Sequence, residues 1–293
     1  MSSPFVTDHP LLVVAAATPL TDGGAALDER AVWPYAAFLA EHGADGVFAC
    51  GTTGEGILLS AEERMRTAVV FRAAVRGLLI VHCGAQSTPD TAALAAHAAE
   101  IGADAVAVIP PPYFPLDEPA LADHLAAAAA ACAPLPFFIY AFAARSGYAV
   151  TPGVVDRVRE VAPNLAGLKV SESPYEKVQQ FLAMGLPVFV GQEPFIPAAL
   201  AAGAIGSVSG LAAAWPDAVR AALDEPDEGA GERIRALRSA MEAQPFIASV
   251  KYVLARRGLP VGPDLRRPMR PLSDGERERL DAALAGLEVT LPA

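Results

Sequence analysis

The stretch Gly43-Ala-Asp-Gly-Val-Phe-Ala-Cys-Gly-Thr-Thr-Gly-Glu55 holds one complete junction of the kind from which the chain is built. A glycine closes a helix, the apolar run Gly46–Cys50 follows as a strand, and a polar glycine-rich loop opens where the strand ends. The same helix-to-strand junction recurs as Gly102-Ala-Asp-Ala105 and Gly203-Ala-Ile-Gly206. Runs of the same character at Leu12–Ala17, Leu78–Cys83, Ala105–Ile109, Phe137–Tyr140, Ala166–Val170, Pro187–Val190 and Ile205–Ser209 bring the strands to eight. Continuous apolar strands separated by helices indicate a parallel sheet covered on its outer face, and eight β/α units close into a (β/α)₈ TIM barrel. A doubly wound sheet is the alternative, but the turn after the first strand, Ala17-Thr-Pro-Leu-Thr-Asp-Gly-Gly24, lacks the GxGxxG spacing.

Helix boundaries carry their own signals. Ser60 with Glu63, Ser173 with Glu176 and Ser273 with Glu276 read as capping boxes, while Thr88-Pro89 and Thr151-Pro152 place a cap before a first-turn proline. Gly43, Gly77, Gly102, Gly185 and Gly203 stand where left-handed residues end helices. The acidic, turn-rich segment after Asp224 ends the alternation, and the remainder reads as helices at Glu232–Glu242, Phe246–Arg256 and Gly275–Leu287. The expected organisation is therefore a barrel over residues 1–224 and a C-terminal helical extension over 225–293, joined across its proline-rich Gly258–Leu272 connection to the barrel surface.

Composition narrows the function. With 53% hydrophobic residues, 19% charged residues and a formal charge of −11, the chain has material for a large core but no basic stripe for a nucleic acid. The apolar Leu11–Leu20 stretch is too short to span a bilayer and follows Asp8 and His9, so neither a membrane anchor nor a secretory signal is expected. Three cysteines, Cys50, Cys83 and Cys132, fit reduced, buried thiols in a cytoplasmic protein. His9, His42, His82, His97 and His124 show no metal-ligand spacing, so no metal and no other cofactor is expected. Trp33, Tyr35 and Phe38, at near-helical spacing, read as core.

In a barrel of this kind the active site lies at the C-terminal ends of the strands. Those ends carry Gly51-Thr-Thr-Gly-Glu55 after the second strand, Pro110-Pro-Pro-Tyr-Phe114 after the fourth, Tyr140 on the fifth and Lys169 on the sixth. Lysine occurs only at 169, 177 and 251, and Lys169 interrupts the apolar run Leu165–Val170, where an ammonium is costly unless neutral, paired or reacting. A deprotonated lysine attacks a ketone, the resulting protonated Schiff base is an electron sink, and a neighbouring phenol can move the protons. The threonine loop offers N–H groups and hydroxyls for a small carboxylate. Lys177 and Lys251 read as solvated or structural.

These motifs, with Tyr140…Arg145-Ser-Gly147, Gly167-Leu-Lys169 and Gly203…Gly206…Ser209-Gly210, resemble the dihydrodipicolinate synthase/N-acetylneuraminate lyase family. The resemblance runs from Thr18-Pro19 to Leu272. It implies a lyase or aldolase in which Lys169 forms a Schiff base with pyruvate or a related 2-oxo acid, Thr52 and Thr53 hold the carboxylate, and Tyr140 with Thr52 relays protons. Arg145 matches a position that binds the second substrate in the synthases, and Gly191 and Val208 match positions lining the pyruvate pocket. The second substrate would be an aldehyde or a sugar acid, and relatives are commonly homo-oligomers, as tetramers or dimers.

Several positions depart from the synthase pattern. Phe114 stands where synthases carry a tyrosine that completes the proton relay across a subunit contact, and a phenyl ring cannot relay a proton. Tyr140-Ala-Phe-Ala143 replaces Tyr-Asn-x-Pro, Lys169-Val-Ser-Glu-Ser173 lacks the acidic residue and glycine often found after the lysine, and Gly191-Gln-Glu193 replaces Gly-Asp-Asp. A 2-keto-3-deoxy sugar acid or N-acetylneuraminate-type aldolase or dehydratase, and a non-catalytic 2-oxo-acid-binding protein, are the alternatives that these departures leave open.

Overall fold

The computed structural model describes residues 4, 5 and 7–287; the last six residues of the expected C-terminal extension, and residues 1–3 and 6, lie outside the described ones. Its strands are β1 (Leu11–Ala15), β2 (Leu20–Thr21), β3 (Ala26–Leu27), β4 (Gly46–Ala49), β5 (Leu78–His82), β6 (Ala105–Val108), β7 (Phe137–Ala141), β8 (Leu165–Val170), β9 (Val188–Val190) and β10 (Gly206–Ser209). Strands β1 and β4 to β10 are parallel and close into a barrel in the order β1-β10-β9-β8-β7-β6-β5-β4, with β4 pairing back to β1. The chain is a (β/α)₈ TIM barrel followed by C-terminal helices. All eight expected strands are present, each with ends within two residues of expectation. The small antiparallel hairpin of β2 and β3 was not anticipated, because two-residue strands carry no periodicity.

Two apolar layers follow from the strand period of two. Phe138 and Tyr140 of β7 point into the barrel with Leu11, Val13, Phe48 and Phe189, while Phe137 and Ile139 face the surrounding helices. On β8, Leu168 and Val170 face the helices, so Lys169 points inward, paired in register with Tyr140. The N-terminal end of the barrel is filled by Phe5, whose ring meets Phe138 edge-on at 4.9 Å between centroids. The interior is thus closed below and open above, where Lys169 and Tyr140 lie.

Helix caps mostly match the sequence. Ser60 and Glu63 form the expected box, Thr151 accepts from the Val154 N–H, and the Glu276 carboxylate accepts from both the N–H and the hydroxyl of Ser273. Three expectations are corrected. Pro174, not Ser173, occupies the cap position of helix Tyr175–Leu182, so no box forms with Glu176. Ser87 rather than Thr88 caps the helix Thr88–Glu100, and the Thr88 hydroxyl instead meets His124 Nδ1 at 2.8 Å. Trp33 is exposed, whereas Tyr35 and Phe38 are buried.

Gly77 is a fourth correction. Gly43, Gly102, Gly185 and Gly203 are left-handed as expected, but Gly77 is not. Its need is steric: a Cβ there would collide with the Asp45 carbonyl, where the chain enters β5 beside β4. Among the last helices, Glu228–Glu242 starts earlier than expected because Asp227 caps it, and Phe246–Arg256 and Asp274–Ala285 follow. Gly77→Ala should therefore lower stability by about 1–3 kcal/mol through overpacking at the β4–β5 entry, read as a lower denaturation midpoint. An unchanged midpoint would contradict the steric account.

Candidate active site

The open end of the barrel is a cavity of about 600 Å³. Lys169, Tyr140, Thr52, Thr53, Arg145, Gly191 and Val208, the seven residues singled out from the sequence, all line it. The structure brings the first three into close contact. Lys169 Nζ lies 3.6 Å from the Tyr140 ring centroid and 4.4 Å from that of Phe48, and the Tyr140 hydroxyl lies 3.5 Å from Thr52 Oγ1. Lys169 is 4% exposed and, among the described residues, has no ion-pair partner. Burial pulls its pKa below the ordinary lysine value, opposed by Tyr140 and by the negative charge of Glu193.

The threonine loop is tightly wound. Its two ends, Cys50 (φ 57°) and Glu55 (φ 59°), are both left-handed, a conformation that costs a non-glycine residue on the order of 1–2 kcal/mol and persists only where the surroundings enforce it. The Gly56 N–H donates to the Gly51 carbonyl and the Thr18 hydroxyl to that of Gly54, while a Cβ on Gly56 would strike the Cys50 carbonyl. Glu55 fastens the loop from below. Its Oε1 lies 2.6 Å from Lys251 Nζ, its Oε2 accepts from the Arg266 N–H at 2.6 Å, and the Lys251 ammonium also donates to the Asp264 carbonyl at 2.5 Å. Lys251 is fully buried, so the structural reading of this lysine holds and the solvated one does not; Lys177 is exposed.

The chain thus buries two lysines in different electrostatic settings. Lys251 has a carboxylate at contact distance, and Lys169 has two aromatic rings.

Four further residues at this end were not identified as site residues from sequence. His82, on β5, is buried beside Tyr140 with ring centroids 6.0 Å apart. Its Nδ1 lies 3.1 Å from the Cys50 carbonyl and 3.5 Å from the Arg64 guanidinium. Burial holds the His82 pKa well below the usual imidazole value, aided by the charges of Arg64 and Lys169, so the ring is neutral at pH 7. Its place at a strand's C-terminal end was the available signal. Phe142 packs against Tyr140 and beneath Arg145. Arg238 and Phe246 arrive from the C-terminal helices, the guanidinium 4.1 Å above the ring.

Departures from the synthase pattern find structural partners. Glu172 Oε1 accepts from the Ala143 N–H and so holds the short helix Ala143–Ser146 that carries the exposed Arg145. Glu193, fully buried, accepts from the Ser209 hydroxyl and Leu211 N–H through Oε1 and from Arg238 through Oε2. Gly191 lies where a Cβ would strike the Ser171 hydroxyl, and Val208 lies on β10, buried. Tyr113 and Phe114 stand exposed in edge-to-face contact on the loop after β6, and neither lines the cavity.

The contrast between the two amines makes opposite stability predictions. Lys251→Met should destabilise by on the order of 3–5 kcal/mol, because it strands Glu55 in the interior. Lys169→Met should raise the melting temperature at pH 7. The folded-state pKa of Lys169 is lowered, so the burial cost is fully present below that pKa and is relieved as pH rises through it. Thermal denaturation of both variants checks this, and destabilisation by Lys169→Met would contradict the unpaired setting.

Comparison with known proteins shows the family. The model of the Dihydrodipicolinate synthetase family matches residues 10–287. An uncharacterized DapA-like lyase of Halobacterium salinarum is 35% identical over 277 residues, covering 91% of this chain and 90% of the relative. Among solved structures, N-acetylneuraminate lyase of Proteus mirabilis is 27% identical with a TM-score of 0.87, covering 96% of this chain and 99% of that one. The chloride-inhibited dihydrodipicolinate synthase of Acinetobacter baumannii, solved in complex with pyruvate, is 26% identical with a TM-score of 0.87, covering 97% and 100%. A barrel with an inward lysine, a facing tyrosine and a threonine loop, matched from end to end, makes this chain a member of the dihydrodipicolinate synthetase family, whose relatives include both synthases and lyases.

Proposed function

We propose that this chain is a Schiff-base carbon–carbon lyase that takes pyruvate, or a related 2-oxo acid, as its first substrate. The observation that carries the reading is the Lys169 amine, buried with no carboxylate partner among the described residues against the ring of Tyr140, whose hydroxyl faces Thr52. An unperturbed lysine at pH 7 is neutral only about one part in a few thousand. Burial raises that fraction by disfavouring the ammonium. The solved synthase relative with pyruvate bound supports the choice of first substrate.

The neutral Nζ adds to the C2 carbonyl carbon, giving a carbinolamine. Protonation of its hydroxyl, delivered through Tyr140 and Thr52, releases water and leaves the protonated imine. Loss of a C3 proton to the same pair gives the enamine, whose C3 bonds to an aldehyde carbon as the aldehyde oxygen takes a proton. Water then hydrolyses the imine and restores the amine; the reverse order cleaves the C3–C4 bond. Thr52 and Thr53, beside the N–H groups of their loop, hold the carboxylate. Gly191 leaves room for the substrate, Val208 forms the facing wall, and Arg145 at the mouth meets the second substrate. Phe114 has no hydroxyl to pass a proton across a subunit contact, which favours aldol cleavage or addition over a synthase relay through that position.

The test is to incubate the protein with pyruvate, reduce with borohydride and locate the adduct by peptide mass. A stable adduct on Lys169, absent in a folded Lys169→Arg variant, is the expected result; an adduct elsewhere, or none with several 2-oxo acids, refutes the proposal. The rate of adduct formation should rise with pH to a midpoint below 10.5, the ordinary lysine value, because the lowered pKa exposes neutral amine earlier. A midpoint at or above that value would contradict the activation mechanism.

A further inference from the structure

The same cavity carries information about the second substrate. Resting on the Schiff-base reading above, we infer that the second substrate is an uncharged apolar aldehyde, with an aryl or branched-alkyl group on the carbonyl carbon, rather than a polyhydroxylated or carboxylate-bearing one. Equivalently, the cleaved substrate is a 4-hydroxy-2-oxo acid with such a group at C4.

A sugar-like chain brings several hydroxyl donors, each of which must find an acceptor when it leaves water. Glu55 is the one carboxylate among the described residues lining the cavity, and both of its oxygens are engaged, by Lys251 and by the Arg266 N–H. The neighbouring carboxylates are committed as well: Glu193 to Ser209, Leu211 and Arg238, and Glu172 to Ala143. Of the uncharged lining groups, the hydroxyls of Thr52, Thr53 and Tyr140 serve the first substrate, which leaves Ser171, the Gln192 amide and the His82 ring as acceptors, while Arg145, Arg238 and Arg270 offer only donors.

Carboxylate recognition is also weakly provided. Arg238 is bound by Glu193 and Glu242, and Arg270 by both oxygens of Glu276, so each cation is already neutralised. Arg145 remains, exposed at the rim. Apolar surface fills the space between: Phe142, Phe246, Ile247, Leu58, Ile57 and Met269 line the cavity around and above the Lys169 cluster. The cavity, at about 600 Å³, is far larger than a three-carbon acid needs and leaves this apolar region for the group on C4.

The experiment measures pyruvate addition to benzaldehyde, 3-methylbutanal, glyceraldehyde and succinic semialdehyde with the intact chain, alongside borohydride trapping of pyruvate. The expected result is kcat/KM at least about tenfold higher for the two apolar aldehydes, within the range a hydrophobic pocket can discriminate. In Phe142→Asn the ratio of benzaldehyde to glyceraldehyde activity should fall about tenfold. Trapping on Lys169 with equal or better use of glyceraldehyde or succinic semialdehyde overturns the inference alone. Trapping without turnover of any aldehyde overturns it too. Failure of trapping overturns the Schiff-base reading and this inference together.

Discussion

The ion pair between Lys251 and Glu55 holds the open end of this barrel together. It joins a helix far along the chain to the loop after β4, and Glu55 extends the grip to the backbone at Arg266. That fastening lets the Thr52-Thr53 loop keep its two left-handed ends, and it draws the Asp264–Met269 segment over the cavity. A buried ion pair contributes little net stability against an apolar replacement of the same shape, so its value here is positional. Glu55 is committed to Lys251, while the second buried amine, Lys169, stands against aromatic rings.

How much of this was legible in the sequence follows from where each signal resides. The inward pointing of Lys169 and Tyr140 is a consequence of strand period and of their place at strand ends, both readable from local pattern. The Thr52-Thr53 loop was legible for the same reason. Lys251, Arg238 and Phe246 were not, because their arrival at the cavity depends on how the last helices dock, which no local period encodes. Glu193 and Glu172 read as departures from a motif, and only their hydrogen bonds reveal what they hold.

Small errors have equally specific causes. Ser87 and Thr88 both carry hydroxyls that can cap, and the backbone places the helix start one residue earlier than the proline suggested. Gly77 resembles the helix-ending glycines in sequence, yet it answers to a steric demand rather than a left-handed one. A glycine satisfies either need, so the residue type alone does not separate them. The last proline-rich connection was expected to be irregular and to cover the barrel, and Leu265, Pro268, Met269 and Arg270 do line the cavity.

Lys169 is a buried amine with no ion-pair partner among the described residues, and the scarcity of lysine makes its titration directly measurable. With only three lysines in the chain, lysine labelled with carbon-13 at Cε gives a spectrum simple enough to assign by substituting one lysine at a time. Following the Lys169 signal through a pH titration of the folded protein tests the claim. A midpoint below 10.5, the ordinary lysine value, is expected in the absence of any substrate. A midpoint at or above that value would mean that Lys169 is stabilised as an ammonium, and the account would be wrong.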